Sequence, residues 1–120
     1  MRPLLDKEHI APEALRAMES FGASVIAEVR SSIEKDAVVV VGMAQNPHVR
    51  NVRKALRDAA VEFTYLEYGS YLSQWRKRLA IKLWTGWPTF PQVFVKGTLF
   101  GGETITVAAL RDGSLKARLV

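Results

Sequence analysis

An α/β sandwich, with one four-stranded mixed sheet flanked by helices, is the fold class the sequence predicts, and three observations carry it. Ala37-Val38-Val39-Val40-Val41 is apolar at every position, the mark of a central strand covered on both faces. Amphipathic patterns of helical period precede and follow it, so helices and strands alternate along the chain. Toward the C-terminal end, Val93-Phe94-Val95 and Thr98-Leu99-Phe100 flank Lys96-Gly97, a hairpin turn in which Gly97 supplies a positive φ. A parallel βαβ unit followed by such a hairpin makes a mixed sheet.

Composition limits the chemistry. The 120 residues suffice for one core, and 48% hydrophobic with 24% charged residues is ordinary for a globular chain. A net charge of +5, from 17 basic and 12 acidic residues, favours anionic partners without naming one. Cysteine is absent, which excludes disulfides, thiolate metal sites and thiol nucleophiles together. Asp6 and Glu8 fall where an export signal would carry its apolar segment, and no apolar run approaches the ~20 residues of a membrane span. The expected location is cytoplasmic, with no membrane partner.

In chain order, Met1 to Ile10 reads as an irregular lead-in. Pro12 opens a helix in which Ala14, Leu15, Met18 and Phe21 keep helical spacing up to Gly22. A second helix from Ser24 places Val25, Ile26, Val29 and Ile33 on one side. Residues 1–35 thus form an N-terminal helical extension packed on a domain of residues 36–120. After the Val-rich strand and a loop through Pro47, a helix from His48 buries Val49, Val52, Leu56 and Ala59, and turns Arg50, Arg53, Lys54 and Arg57 outward. Val61, Phe63 and Tyr65 alternate with Glu62 and Thr64 as a strand. A helix over Leu72 to Trp84 follows, with Leu72, Trp75, Leu79 and Leu83 as its apolar stripe and Arg76, Lys77, Arg78 and Lys82 on its polar side. Gly101-Gly102 ends the hairpin, Thr104 caps a last helix through Leu110, and Ser114 to Val120 forms a short tail.

Trp87-Pro88-Thr89-Phe90-Pro91-Gln92 cannot be helical, because each proline fixes its own φ and extends the residue before it. It is a stiff corner entering a strand, and Thr89 and Phe90 offer backbone groups to a partner. From Trp87 through Gly97, with Gly101-Gly102 beyond, this block resembles the corresponding segment of monothiol glutaredoxins, and the resemblance spans about Ala37 to Gly113. It implies a thioredoxin-like, glutaredoxin-type sandwich and a cis peptide bond before Pro91.

The family's chemistry implies a thiolate at the N-terminus of the helix after the first strand, attacking a glutathione mixed disulfide. Here that position is Asn46, in Asn46-Pro47-His48-Val49. An amide is no thiol, but it caps a helix well. No catalytic residue is therefore assigned, and the resemblance implies no iron–sulfur cluster, since the family holds it through that cysteine. For glutathione or an extended peptide, the resemblance points to a groove of Arg78, Thr89, Phe90, Pro91, Gly101, Gly102, Glu103 and Thr104. Met43 stands at the family's lysine position and Thr104 at its acidic one, with Glu103 beside it as a partial substitute. Each lost charge-assisted hydrogen bond is worth about 1.5–3 kcal/mol, so losing two weakens glutathione binding by about 10²- to 10⁴-fold.

His48 has no carboxylate or second histidine at a metal-ligand spacing and reads as a surface residue, so no metal site is assigned. The two basic clusters read as solvated helix faces, and no base-stacking motif argues for nucleic acid. Trp75, Trp84 and Trp87 read as core and groove packing. Two functions follow. One is a redox-inactive glutaredoxin-related binding or interaction module. The alternative is a glutathione-dependent oxidoreductase in which bound glutathione supplies the thiol and Asn46 or His48 polarises it. Self-association through the N-terminal helices stays open beside them.

Overall fold

The computed structural model describes residues 1–120. After one 3-10 turn at Lys7–His9, the chain forms α1 (Pro12–Ser20), α2 (Ala23–Lys35), β1 (Val38–Gly42), α3 (Pro47–Asp58), β2 (Thr64–Glu67), α4 (Trp75–Thr85), β3 (Gln92–Val95), β4 (Thr98–Gly101), α5 (Glu103–Asp112) and α6 (Ser114–Arg118). The strand order is β2-β1-β3-β4, parallel between β1 and β2 and antiparallel elsewhere. This is the mixed four-stranded sheet flanked by helices that the apolar patterns predict.

All of β1 is buried, and its two faces feed two cores. Val39 and Val41 join Val25 and Val29 of α2 and Ala80 and Ile81 of α4 on one side. Val38 and Val40 join Val52 and Leu56 of α3, Ala109 of α5 and Leu115 of α6 on the other. Each buried valine or leucine contributes up to about 1.5–3 kcal/mol. Val25 and Val29 make α2 part of the core, so within residues 1–35 only the lead-in and α1, which buries nothing, stand outside it. At Gly22, with φ +67°, a Cβ would lie 2.2 Å from the Ala80 Cβ, so glycine permits the close approach that seats α2 on α4. No helix is long and apolar enough to cross a membrane.

Four local expectations are corrected. The second strand runs over Thr64–Glu67, not from Val61. Ala60 turns at φ +59°, the Val61 N–H donates to the Leu56 carbonyl, and Val61 is a buried anchor beneath α3. Pairing begins only where Thr64 meets Val39. The fourth helix starts at Trp75, after Gln74 in the left-handed region, because Ser70 and Ser73 close a turn on each other before it. The Leu72, Trp75, Leu79, Leu83 stripe faces outward at 96%, 58%, 36% and 65% exposure, while Arg78, Ala80 and Ile81 face inward. On that buried side, small Ala80 meets Gly22. Finally, Gly102 occupies the N-cap of α5 and Thr104 lies within its first turn.

Candidate functional site

The site is built where the β1–α3 loop, the corner before β3 and the start of α5 meet. Gln45, at φ +63°, turns the chain out of β1. Asn46 then caps α3, with Pro47 at the first helical position where no amide hydrogen is required. The Asn46 Oδ1 accepts from the backbone N–H groups of His48 at 2.9 Å and Val49 at 3.2 Å. Its Nδ2 points to the Phe90 carbonyl at a long 3.5 Å, which sets the buried amide against the proline corner.

The corner itself is held from below. The Thr85 hydroxyl stands 3.1 Å from the Ile81 carbonyl and 2.9 Å from Gln92 Oε1, and accepts from the Trp87 N–H at 3.1 Å. Fully buried Gln92 donates back to the Trp87 carbonyl at 3.0 Å. The Phe90–Pro91 peptide bond is cis. Phe90 and Pro91 are buried and Thr89 is exposed, with no intramolecular hydrogen bond from its backbone. Sequence reasoning gave Gln92 no role beyond the corner; a glutamine beside three apolar strand residues was the available signal.

Gly101 and Gly102 close the far side. At Gly101, φ +98°, a Cβ would meet the Trp87 ring at 2.9 Å, and at Gly102 it would lie 3.5 Å from the Pro91 carbonyl oxygen. The paired glycines thus admit the indole, whose buried Nε1–H has no partner. Glu103 follows at the first position of α5. Its Oε1 lies 2.6 Å from His48 Nδ1 and its Oε2 accepts from Asn51 Nδ2 at 3.0 Å. His48 is therefore paired with a carboxylate distant in sequence, correcting its reading as a lone residue. Thr104 is exposed and its hydroxyl makes no hydrogen bond.

Arg78 departs from the expectation of a solvated helix face. It is buried, and its Nη1 donates to the carbonyls of Tyr68 at 2.9 Å and Ser73 at 2.5 Å. It thereby braces the β2–α4 loop, which in turn accepts the Ala44 N–H on the Gly69 carbonyl. Met43 is also buried. Lys82 approaches the corner, its Nζ 5.6 Å from the Phe90 ring centroid. Trp84 does not face the groove; it lines a cavity of about 680 Å³ between α2, α4 and the β3–β4 hairpin, where Arg30 stacks 5.3 Å from its centroid. Trp75 is exposed rather than packed.

Two tyrosines nearby titrate above the ordinary range. Burial is the main cause for Tyr68, reinforced by the Glu28 carboxylate that accepts its hydroxyl. Burial likewise leads for Tyr65, with Glu67 raising it further and Arg53, stacked 3.9 Å from the ring centroid, opposing.

At position 46 the geometry therefore offers an amide whose oxygen is engaged in capping α3. An iron–sulfur cluster of the family type needs a thiolate at position 46, and Asn46 does not fit it. Beside Asn46 lie an unpaired backbone at Thr89, an unpaired indole N–H and a Glu–His pair.

A family model described as Glutaredoxin matches residues 38–100. A glutaredoxin-like protein of Dictyostelium discoideum is 54% identical over 98 residues, which cover 82% of this chain and 80% of that protein. The chloroplastic monothiol glutaredoxin-S7 of Oryza sativa subsp. japonica is 38% identical over 68 residues, 57% of this chain and 39% of its own. Among solved structures, oxidized glutaredoxin 2 of Chlamydomonas reinhardtii superposes with a TM-score of 0.71 at 26% identity, covering 82% of this chain and 92% of that one. The thioredoxin-like fold, glutaredoxin branch, is that of this chain.

Proposed function

The chain belongs to the glutaredoxin family, and from that premise we propose that it is a member without thiol–disulfide chemistry, a binding module whose groove along Thr89-Phe90-Pro91 receives an extended peptide segment or, weakly, glutathione. One observation carries the reading: the nucleophile's position is filled by an amide committed to capping α3, while the Thr89 backbone beside it has no intramolecular partner. An extended ligand pairs with such a backbone as an added strand does. The weakness toward glutathione follows from Met43 and Thr104, which offer no charge, and from Arg78, whose Nη1 is already bound to two carbonyls.

Titration with reduced glutathione, followed by backbone amide shifts, tests the groove. The expected result is saturation only at millimolar concentrations, with the largest shifts at Thr89, Phe90 and Gly102. An unmoved Thr89 amide, with no heat by calorimetry at the same concentrations, would leave glutathione without a site and restrict the groove to peptides.

A second reading draws on the Glu103–His48 contact. There, Glu103 orients the imidazole, and the free Nε2 takes the proton from the thiol of bound glutathione. The resulting thiolate attacks a mixed disulfide, forming glutathione disulfide and releasing the other thiol, which recovers the proton. Glutathione-dependent turnover lost in His48→Ala would favour this reading over the first.

A further inference from the structure

The stripe that helical periodicity assigns to the core is the most exposed apolar feature of a structured element. Leu72, Trp75, Leu79 and Leu83 stand at 96%, 58%, 36% and 65% exposure on the outer side of α4 and the turn before it. A row of large apolar side chains exposed on one helix face marks an interaction surface. Trp75, Leu79 and Leu83 are spaced four apart, and such a row interdigitates with a second helix in the commonest packing class. Arg76 and Lys82 flank the row on its two sides, as their offsets from Trp75 and Leu83 require at about 100° per residue. The whole helix, WRKRLAIKLWT, contains four cations and no carboxylate, and none of the four makes an ion pair. Aromatic rings receive them instead: Arg76 lies between Phe21 and Trp75, at 5.2 and 5.5 Å, and Lys82 lies 5.6 Å from Phe90.

We infer that the outer face of α4 docks an acidic amphipathic helix of a partner protein, its apolar side chains seated along Trp75, Leu79 and Leu83 and its carboxylates on Arg76 and Lys82. Charge selects this occupant. A second copy docking α4 against α4 would set Arg76 and Lys82 against identical cations with no acid to relieve them. A lipid surface takes a broad apolar face, whereas this one is a single row between two cations. The inference does not depend on ligand binding in the groove at Thr89.

The probe is a synthetic helical peptide with leucines at every third and fourth position and glutamates flanking them, compared with a scrambled peptide of the same composition. The expected result is amide shifts confined to Leu72 through Thr85 with the patterned peptide only, and binding that falls as salt is raised. The double variant Arg76→Glu/Lys82→Glu weakens binding by about tenfold or more, and Leu83→Ser weakens it with all charges kept. Absence of binding, equal binding of the scrambled peptide, or shifts centred on Thr89 and Gly102 would overturn the inference. So would concentration-dependent self-association abolished by Leu83→Ser, which assigns the face to a second copy. Partition onto phosphatidylserine vesicles without peptide binding would assign it to membranes and overturn it equally.

Discussion

Replacing Asn46 by alanine isolates what this residue does. The substitution removes the acceptor for two first-turn N–H groups, at 2.9 and 3.2 Å, and the 3.5 Å contact to the Phe90 carbonyl. Loss of an N-cap costs about 1 kcal/mol and up to about 2. The longer contact lies beyond ordinary hydrogen-bond length and adds little. Because Asn46 is only 8% exposed, water replaces the lost acceptor poorly, which moves the cost toward the upper half of that range. The expected loss is about 1–2 kcal/mol, or about 4–8 °C in Tm for a chain of this size. Urea unfolding reads it as a lower midpoint at unchanged slope. Asn46→Asp should recover most of the loss, since a carboxylate accepts the same N–H groups and favours the helix N-terminus. An alanine variant as stable as the parent would refute the cap and, with it, the explanation for an amide at this position.

Further outcomes follow from the surrounding geometry. Gly101→Ala combines a positive φ with a Cβ 2.9 Å from the Trp87 ring, so a loss of at least about 2 kcal/mol is expected in the same unfolding assay. The Tyr65 and Tyr68 phenols are raised by burial first and by carboxylate neighbours second, so the fold holds them neutral. Their contribution is complete below the ordinary phenol value of about 10 and is lost as pH rises from there toward the raised values. Melting temperature should fall beyond pH of about 10, and less steeply in Tyr68→Phe. Leu56→Ala, in a fully buried α3 position, should cost about 2–5 kcal/mol by urea midpoint.

Where the determinant is local, the sequence is explicit. Val38 to Val41 announces a strand covered on both faces, Asn46-Pro47 announces a helix start, and Lys96-Gly97 announces a hairpin; all three are present. Where the determinant is a contact between distant residues, periodicity misleads. The spacing of Leu72, Trp75, Leu79 and Leu83 identifies a helix correctly, but the side that faces inward carries Ala80 against Gly22, a contact no window of sequence displays. The same holds for Glu103 reaching His48 across 55 positions, and for Arg78, whose charge suggests solvent while two loop carbonyls hold it inside. Within the candidate site the corner and the glycines were legible from the family block. The Thr85–Gln92 knot beneath them was not, because its partners are unremarkable residue types.

The proposed function rests on a glutaredoxin groove kept without exchange chemistry at position 46. Turnover of a glutathione mixed disulfide by the unmodified chain, set against a glutathione-only control and the Asn46→Cys variant, tests it most directly. The unmodified chain should match the control, and the cysteine variant should exceed it, because a thiolate at the α3 N-terminus is stabilised there. Turnover above the control by the cysteine-free chain would contradict the claim.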